Sequence, residues 1–324
     1  MSLPHRPLRI GTRGSALARW QTERVRSLLA AAGSSAEPVE IKTTGDLTPD
    51  VALSRIGSRA LFTKQIDDAL LAGRIDLAVH SLKDLPTRLP DGIVIGAVGQ
   101  REDPRDALVG RGPISWEGLP RGAILATSSL RRRAQMLYHR PDLRIVDIRG
   151  NVDTRLTKLA ANPDWSAIVL ATAGLVRLGA ESRIGERLAP DLLLPAPGQG
   201  ALAITVRSDD EPVLALVRSV LHDAGTALTT SAERAFLSQL EGGCQVPIAA
   251  YAERQGERGG VLQLHGRVVA QDGRTLIEGR QGRGVTSEAD ARELGSVLAH
   301  ELLEQGAGEI LARARTEVPA ISEP

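Results

Sequence analysis

The chain has 324 residues, 42% of them hydrophobic and 24% charged, with 40 basic against 39 acidic side chains and a formal net charge of +1. These are the proportions of a globular protein of two or three domains. They exclude the global positive field of a nucleic-acid or membrane-surface binder, and the 2% of aromatic residues offers few stacking platforms for bases.

The N-terminus, MSLPHRPLRIGTRG, lacks an apolar run that could serve as a signal peptide, and no later segment reaches the roughly 18 apolar residues of a membrane span. A single cysteine cannot form an internal disulfide. The expected compartment is the cytoplasm. LRIGTR reads as a buried strand. The helix after it carries Leu17, Trp20, Val25, Leu28 and Leu29 on one face and stops at Gly33. VEIKTT is strand-like, TKQIDDALLAG a helix, IDLAVHS a strand, and GIVIGAVG follows as another strand-like stretch.

A second series repeats the alternation: AILATS then SLRRRAQMLYHR, RIVDIRG then NVDTRLTKLAA, AIVLATAG then LVRLG. Strand–helix repetition of this kind predicts largely parallel sheets covered by helices, with ligands bound beyond the carboxyl ends of the strands. LLLPAPGQGALAITVRS breaks the rhythm and reads as a crossing linker into another strand. From about residue 218 the style becomes α+β: a helix, the loop LEGGCQVP, two alternating strands and a long terminal helix from about Glu288. The expected division is residues 1–99 with 200–217 as one α/β domain, 100–199 as a second, and 218–324 as an α+β third.

Four strand-to-helix junctions carry small or hydroxyl residues beside arginine: GTRGS at 11–15, TSSLRRR at 127–133, IRGNVDTR at 148–155 and TAGLVR at 172–177. Helix starts present backbone N–H groups and the positive end of the dipole, and Ser15, Ser128 or Ser129 either caps a helix or donates to an anion. Lysine occurs only at 42, 64, 83 and 158, so arginine supplies most of the positive charge. Guanidinium groups match carboxylates bidentately, whereas neither GxGxxG nor GxxxxGK[ST] is present for a nucleotide phosphate. Arg131, Arg132 and Arg133 point about 100° apart on a helix, so one is expected at the cleft and another at solvent or a neighbouring acid. The six histidines are scattered and no metal-ligand spacing occurs, so no metal is expected.

In LAVHSLKDLP, Lys83 and Asp84 follow a buried strand. They form either an ordinary turn or a charged pair able to stabilise a developing cation and move protons. Cys244, after Glu241, Gly242 and Gly243, sits on a loop rather than in an apolar run, as a reactive thiol would.

IGTRGSALA, LFTKQIDDAL, DLAVHSLKDLP, REDPRDALV, ATSSLRRRAQ, DIRGNVDTRL, ATAGLVRLG, LPAPGQGALAI and ERAFLSQLEGGCQVPIAA, in that order over most of residues 8–250, resemble the porphobilinogen deaminase (hydroxymethylbilane synthase) family. The resemblance implies two α/β domains of periplasmic-binding-protein kind and a third bearing the cysteine. It implies a dipyrromethane cofactor held by Cys244 through a thioether, with porphobilinogen as substrate. Four units are added with loss of ammonia, and hydrolysis then releases the linear tetrapyrrole hydroxymethylbilane. By the same resemblance, Asp84 is catalytic, Lys83, Ser129, Arg131, Arg132, Arg149 and Arg155 bind the cofactor, and Arg13, Ser15, Arg177 and Arg59 bind substrate. A monomer without nucleic-acid or membrane partners is implied too.

The chain departs from the family's glycine–lysine–glycine series with Ser58, Arg59 and Ala60 before LF, and carries Gln65 where glutamate is common. The rival readings are a solute-binding carboxylate trap and a nucleic-acid binder using SLRRRAQ as a basic helix.

Overall fold

The computed structural model describes residues 6–43, 63–240, 246–255 and 260–316. Cys244 and Arg59 lie outside the described residues, as do Ser58 and Ala60.

The first sheet collects β1 (Leu8–Thr12), β2 (Ala36–Glu40), β3 (Leu77–Ser81), β4 (Ile93–Val98) and β10 (Leu202–Arg207) in the order β2-β1-β3-β10-β4. The second collects β5 (Asp106–Val109), β6 (Ile124–Ala126), β7 (Arg144–Val146), β8 (Ala167–Ala171) and β9 (Glu186–Arg187) in the order β7-β6-β8-β5-β9. The two orders are the same arrangement. Three parallel strands are followed in each by one strand, β10 or β5, antiparallel to both neighbours. That antiparallel strand is the one the chain enters after crossing from the other sheet.

The interior strands are near-continuous apolar runs, as a sheet covered on both faces requires. Ile168 and Val169 of β8 and Ala203 and Ile204 of β10 are all buried. Helices α1 (Ala16–Ala31), α2 (Lys64–Leu71), α3 (Leu130–His139), α4 (Val152–Ala161), α5 (Thr172–Arg177) and α6 (Glu211–Leu221) accompany these strands. Several starts are capped by short polar side chains: Ser15 accepts from the Ala18 N–H, Ser129 from the Arg132 N–H and Asp210 from the Val213 N–H.

The third sheet is an antiparallel meander of β11 (Ile248–Gln255), β12 (Val261–Val269) and β13 (Leu276–Gly284). It packs on α7 (Ala224–Gln239) and α8 (Glu288–Glu304), with α9 (Ala307–Thr316) beyond. Phe236 is fully buried at its centre, and a Cβ on Gly266 would lie 2.5 Å from its ring. The terminal helix expected from Glu288 is two helices, broken where Gly306 takes φ +99°.

Other details differ from the sequence reading. The second strand lies at 36–40 rather than 39–44; it is an edge strand, which is where Pro38, lacking an N–H, is tolerated. Trp20 is 38% exposed instead of core-facing, and Gln21 and Thr22 are buried in its place. Strand β5 and helix α6 were not read from the sequence at all.

Both crossings are tied to the third sheet's helix. The buried Glu233 of α7 accepts two hydrogen bonds from Arg101, at 2.7 and 3.0 Å, and one each from the N–H groups of Gly198 and Ala252. The crossings also bond each other, Glu102 N–H to the Gly200 carbonyl at 3.1 Å. Gly198 and Gly200 take φ +76° and +92°. A Cβ on Gly200 would stand 2.3 Å from the Glu102 carbonyl oxygen, so this close approach requires glycine.

A candidate carboxylate cleft

The sequence-expected residues stand at the carboxyl ends of β1, β3, β6, β7 and β8. Lys83 and Asp84 occupy a single 3₁₀ turn, Leu82–Asp84, directly after β3. Leu82 anchors that turn: it is fully buried, and its N–H donates to the Ala201 carbonyl at 3.0 Å. Asp84 is thereby held out at the surface. Lys83 is half-buried rather than extended into solvent, as an ordinary turn would leave it. Its Nζ donates to Gln199 Oε1 at 3.2 Å, and burial pulls its pKa down to about 8, with Asp84 opposing and Arg132 reinforcing.

Arg131 and Arg132 converge on one carboxylate. Asp106, at the start of β5 and 0% exposed, accepts from Arg131 Nη1 at 2.7 Å and from Arg132 Nε and Nη2 at 3.0 and 2.7 Å. Gln199 Nε2 adds a fourth bond at 3.0 Å. Burial alone would raise this carboxyl, but the two guanidinium groups hold it well below the usual carboxylate range. Remaining N–H groups reach the Leu194 and Val169 carbonyls. Thus both arginines turn toward an acid, while Arg133 is half-buried.

Arg155 lies within electrostatic reach of Arg132, Arg149 and Asp84. Burial first, then repulsion from Arg132 and Arg149, lowers its pKa to about 10, with Asp84 opposing; its Nε donates to the Gly150 carbonyl at 2.8 Å. The structure therefore brings Lys83, Asp84, Arg131, Arg132, Arg149 and Arg155 together. Arg13 is near His80, whose protonation is disfavoured first by burial and then by Arg13. Ser15 and Ser129 serve as helix caps, and Ser128 joins the strand ends by bonding Ile148.

Arg177 belongs to a different setting. It bonds the Gly200 carbonyl at 2.5 Å and lies 5.7 Å from the Trp20 ring, and burial lowers its pKa to about 10. A cleft of about 980 Å³ between β4 and α7–α8 is lined by Arg218, His222 and Arg234, not by the strand-end arginines.

Sequence reasoning missed Asp106, Gln199 and Arg101, although all three lie inside motifs it quoted. One available signal was an aspartate opening the apolar run DALV, a place where a charge needs partners.

The family model for the porphobilinogen deaminase dipyromethane cofactor binding domain matches residues 8–215, and that for the porphobilinogen deaminase C-terminal domain matches residues 227–304. This chain belongs to the porphobilinogen deaminase family. A porphobilinogen deaminase of Rubrobacter xylanophilus is 52% identical over 311 residues, covering 96% of this chain and 98% of its own. One of Syntrophomonas wolfei is 48% identical over 312 residues, covering 96% and 99%. Among solved structures, a periplasmic substrate-binding protein of an ABC transporter from Coxiella burnetii aligns with TM-score 0.42 at 15% identity, over 68% of this chain and 93% of that one.

The donor set fits the dipyrromethane group of this family. Lys83, Arg131, Arg132, Arg149 and Arg155 place five cations beside the carboxylates of Asp84 and Asp106, and Asp106 is already occupied by Arg131, Arg132 and Gln199. Desolvation pulls the pKa values of Lys83, Arg131 and Arg155 down, and anionic side groups entering the cleft would relieve that strain.

Proposed function

We propose that this transferase of the porphobilinogen deaminase family, which makes hydroxymethylbilane, holds its dipyrromethane group on Cys244 and works on it with Asp84. When bound, that group supplies the pyrrole end to which porphobilinogen units are added. Lys83, Arg131, Arg132, Arg149 and Arg155 bind its carboxylates, with Ser129 at the start of α3. Arg13, Ser15, Arg177 and Arg59 receive the incoming substrate.

Asp84, held out by the buried Leu82, stabilises the positive charge that develops when ammonia leaves and carries protons at its carboxylate oxygens. The single observation that carries this reading is the surplus of partly buried cations around Asp84. The division into 1–99 with 200–217, 100–199 and 218–324, the cytoplasmic setting and the monomeric state belong to the same proposal.

The test is the intact mass of the chain beside Cys244→Ser, each incubated with porphobilinogen. Added mass of two deaminated units on the parent chain alone is expected. A parent chain that stays bare would favour a plain carboxylate-binding module.

A further inference from the structure

Arg267 is 3% exposed on β12, far in sequence from every strand-end arginine, and no part of the reaction scheme uses it. Its guanidinium leaves its own sheet. Nη1 donates to Gln135 Oε1 at 2.9 Å and Nη2 to the Asp191 carbonyl at 3.0 Å, while Nε bonds Glu278 at 2.8 Å. Gln135, 1% exposed on α3, is itself saturated. Its Oε1 also accepts the Leu194 N–H at 2.9 Å, and its Nε2 donates to the carbonyls of Leu194 and Arg131 at 3.1 and 3.3 Å. The Leu194 carbonyl accepts Arg131 Nη1 as well, at 2.8 Å.

Hydrogen bonds therefore run without a gap from β12 to the residue that grips Asp106. A second tether lies beside the first: Ala250 N–H of β11 donates to the Pro195 carbonyl at 3.1 Å. Strand β11 begins four residues after Cys244, and Arg267 stands opposite its Ala249 in the ladder.

We propose that Arg267 is a positioning residue. Through Gln135 it fixes the distance between the sheet that follows the Cys244 loop and the Arg131–Arg132 pair. This rests on the functional reading above, in which the Arg131–Arg132 pair binds the carboxylates of the bound group. A guanidinium is suited to the task, since its planar fork serves Gln135, Asp191 and Glu278 at once. An ammonium has one nitrogen and cannot span all three.

The experiment compares Arg267→Met, Arg267→Lys and Arg280→Met. Arg280 is an internal control: it lies on the same sheet and bonds the Asp191 side chain, but does not touch Gln135. The first readout is amide hydrogen exchange over 130–139 and 190–196 in chains without substrate. Arg267→Met is expected to exchange about 10-fold faster there, Arg267→Lys by less, and Arg280→Met as the parent. The second readout is steady-state turnover with intact mass during limited porphobilinogen. Arg267→Met is expected to keep its two-unit adduct, lose about 10-fold in kcat/KM chiefly through KM, and accumulate partly extended chains; Arg267→Lys should regain part of the loss.

Unchanged exchange in both Arg267 variants would overturn the proposal whether or not pyrrole is bound. So would faster exchange with parental kcat/KM in a chain that carries its adduct. If Arg267→Met does not fold, the same two comparisons on Arg267→Lys decide. A parent chain that gains no pyrrole mass overturns the functional reading instead, and the exchange comparison still decides whether Arg267 holds α3.

Discussion

Asp106→Asn replaces a buried carboxylate that takes four hydrogen bonds, three of them from guanidinium groups at 2.7 to 3.0 Å. The amide keeps one acceptor oxygen but turns an NH₂ toward a donor of Arg131 or Arg132, and it removes the only carboxylate these two arginines bond among the described residues. Taking one partner from a buried ion pair costs about 3–5 kcal/mol, because the remaining charge stays desolvated. With a urea m-value of about 3 kcal/mol/M, the midpoint should fall by roughly 1–1.7 M. Trp116 and Trp165 both pack in the cores around the second sheet, so their fluorescence in a Trp20→Phe background reports that unit directly. A carboxyl held this far down stabilises the fold above its unfolded pKa, and the contribution is lost as pH falls through its folded value. The gap between parent and Asp106→Asn should therefore be full at pH 7 and narrow below about pH 4. A midpoint shift under 0.3 M at pH 7, or a gap independent of pH, would refute Asp106 as the counterion of the pair.

Asp84→Asn, on an exposed turn position, should leave the urea midpoint and the pyrrole mass unchanged while turnover falls at least about 100-fold; substantial turnover would remove Asp84 from catalysis. His80 is buried against Thr205, and its pKa is lowered to about 4, first by burial. The unfolded chain then binds the extra proton between pH 6.5 and 4, so acidification through that window should cost about 3 kcal/mol, a slope that His80→Gln flattens in a pH series of urea midpoints. Asp67 is 3% exposed with Oδ1 lacking a hydrogen-bond partner among the described residues, and burial raises its pKa to about 6, so it weakens the fold increasingly as pH rises through 3.8 to 6. Asp67→Asn should raise stability at pH 7 by about 1–3 kcal/mol, and a loss there would show that the charged form is held by a favourable contact. Phe236→Ala, opposite Gly266, should cost about 3–5 kcal/mol, read as lost protection of β11 and β12 in hydrogen exchange.

The alternation of strands and helices, and the strand-end positions of the arginines, were legible because both depend on local periodicity and on turn residues. The swapped strands were not. DALV reads as four apolar-rich residues after a polar stretch, and nothing local says that it runs antiparallel inside the second sheet. The roles of Arg131 and Arg132 were half legible: helical spacing shows that they diverge from Arg133, but their shared acid is 25 and 26 residues away. Gln199 and Arg101 were hidden for the same reason, since their partners sit 93 and 132 residues off. Trp20 was misplaced because an amphipathic count scores any large side chain as core. Here its ring instead carries a guanidinium from the other α/β unit.

A cluster of cations at the strand ends has a difficulty before any ligand arrives: its members repel one another and resist burial. The fold's answer is to spend one carboxylate of its own behind the surface. Asp106 sits at the start of β5, where it grips Arg131 and Arg132. Gln199 then joins Asp106 to Lys83, the lysine of the group, so the turn bearing Asp84 is tied to the floor beneath the arginines. Gln199 lies on the second crossing and hands its carbonyl to Arg101 on the first, which Glu233 holds from the third unit. The turn bearing Asp84, the cation floor and both crossings thus form one bonded set. A change in how the two α/β units sit must either preserve that set or move Lys83 and Asp84 with it.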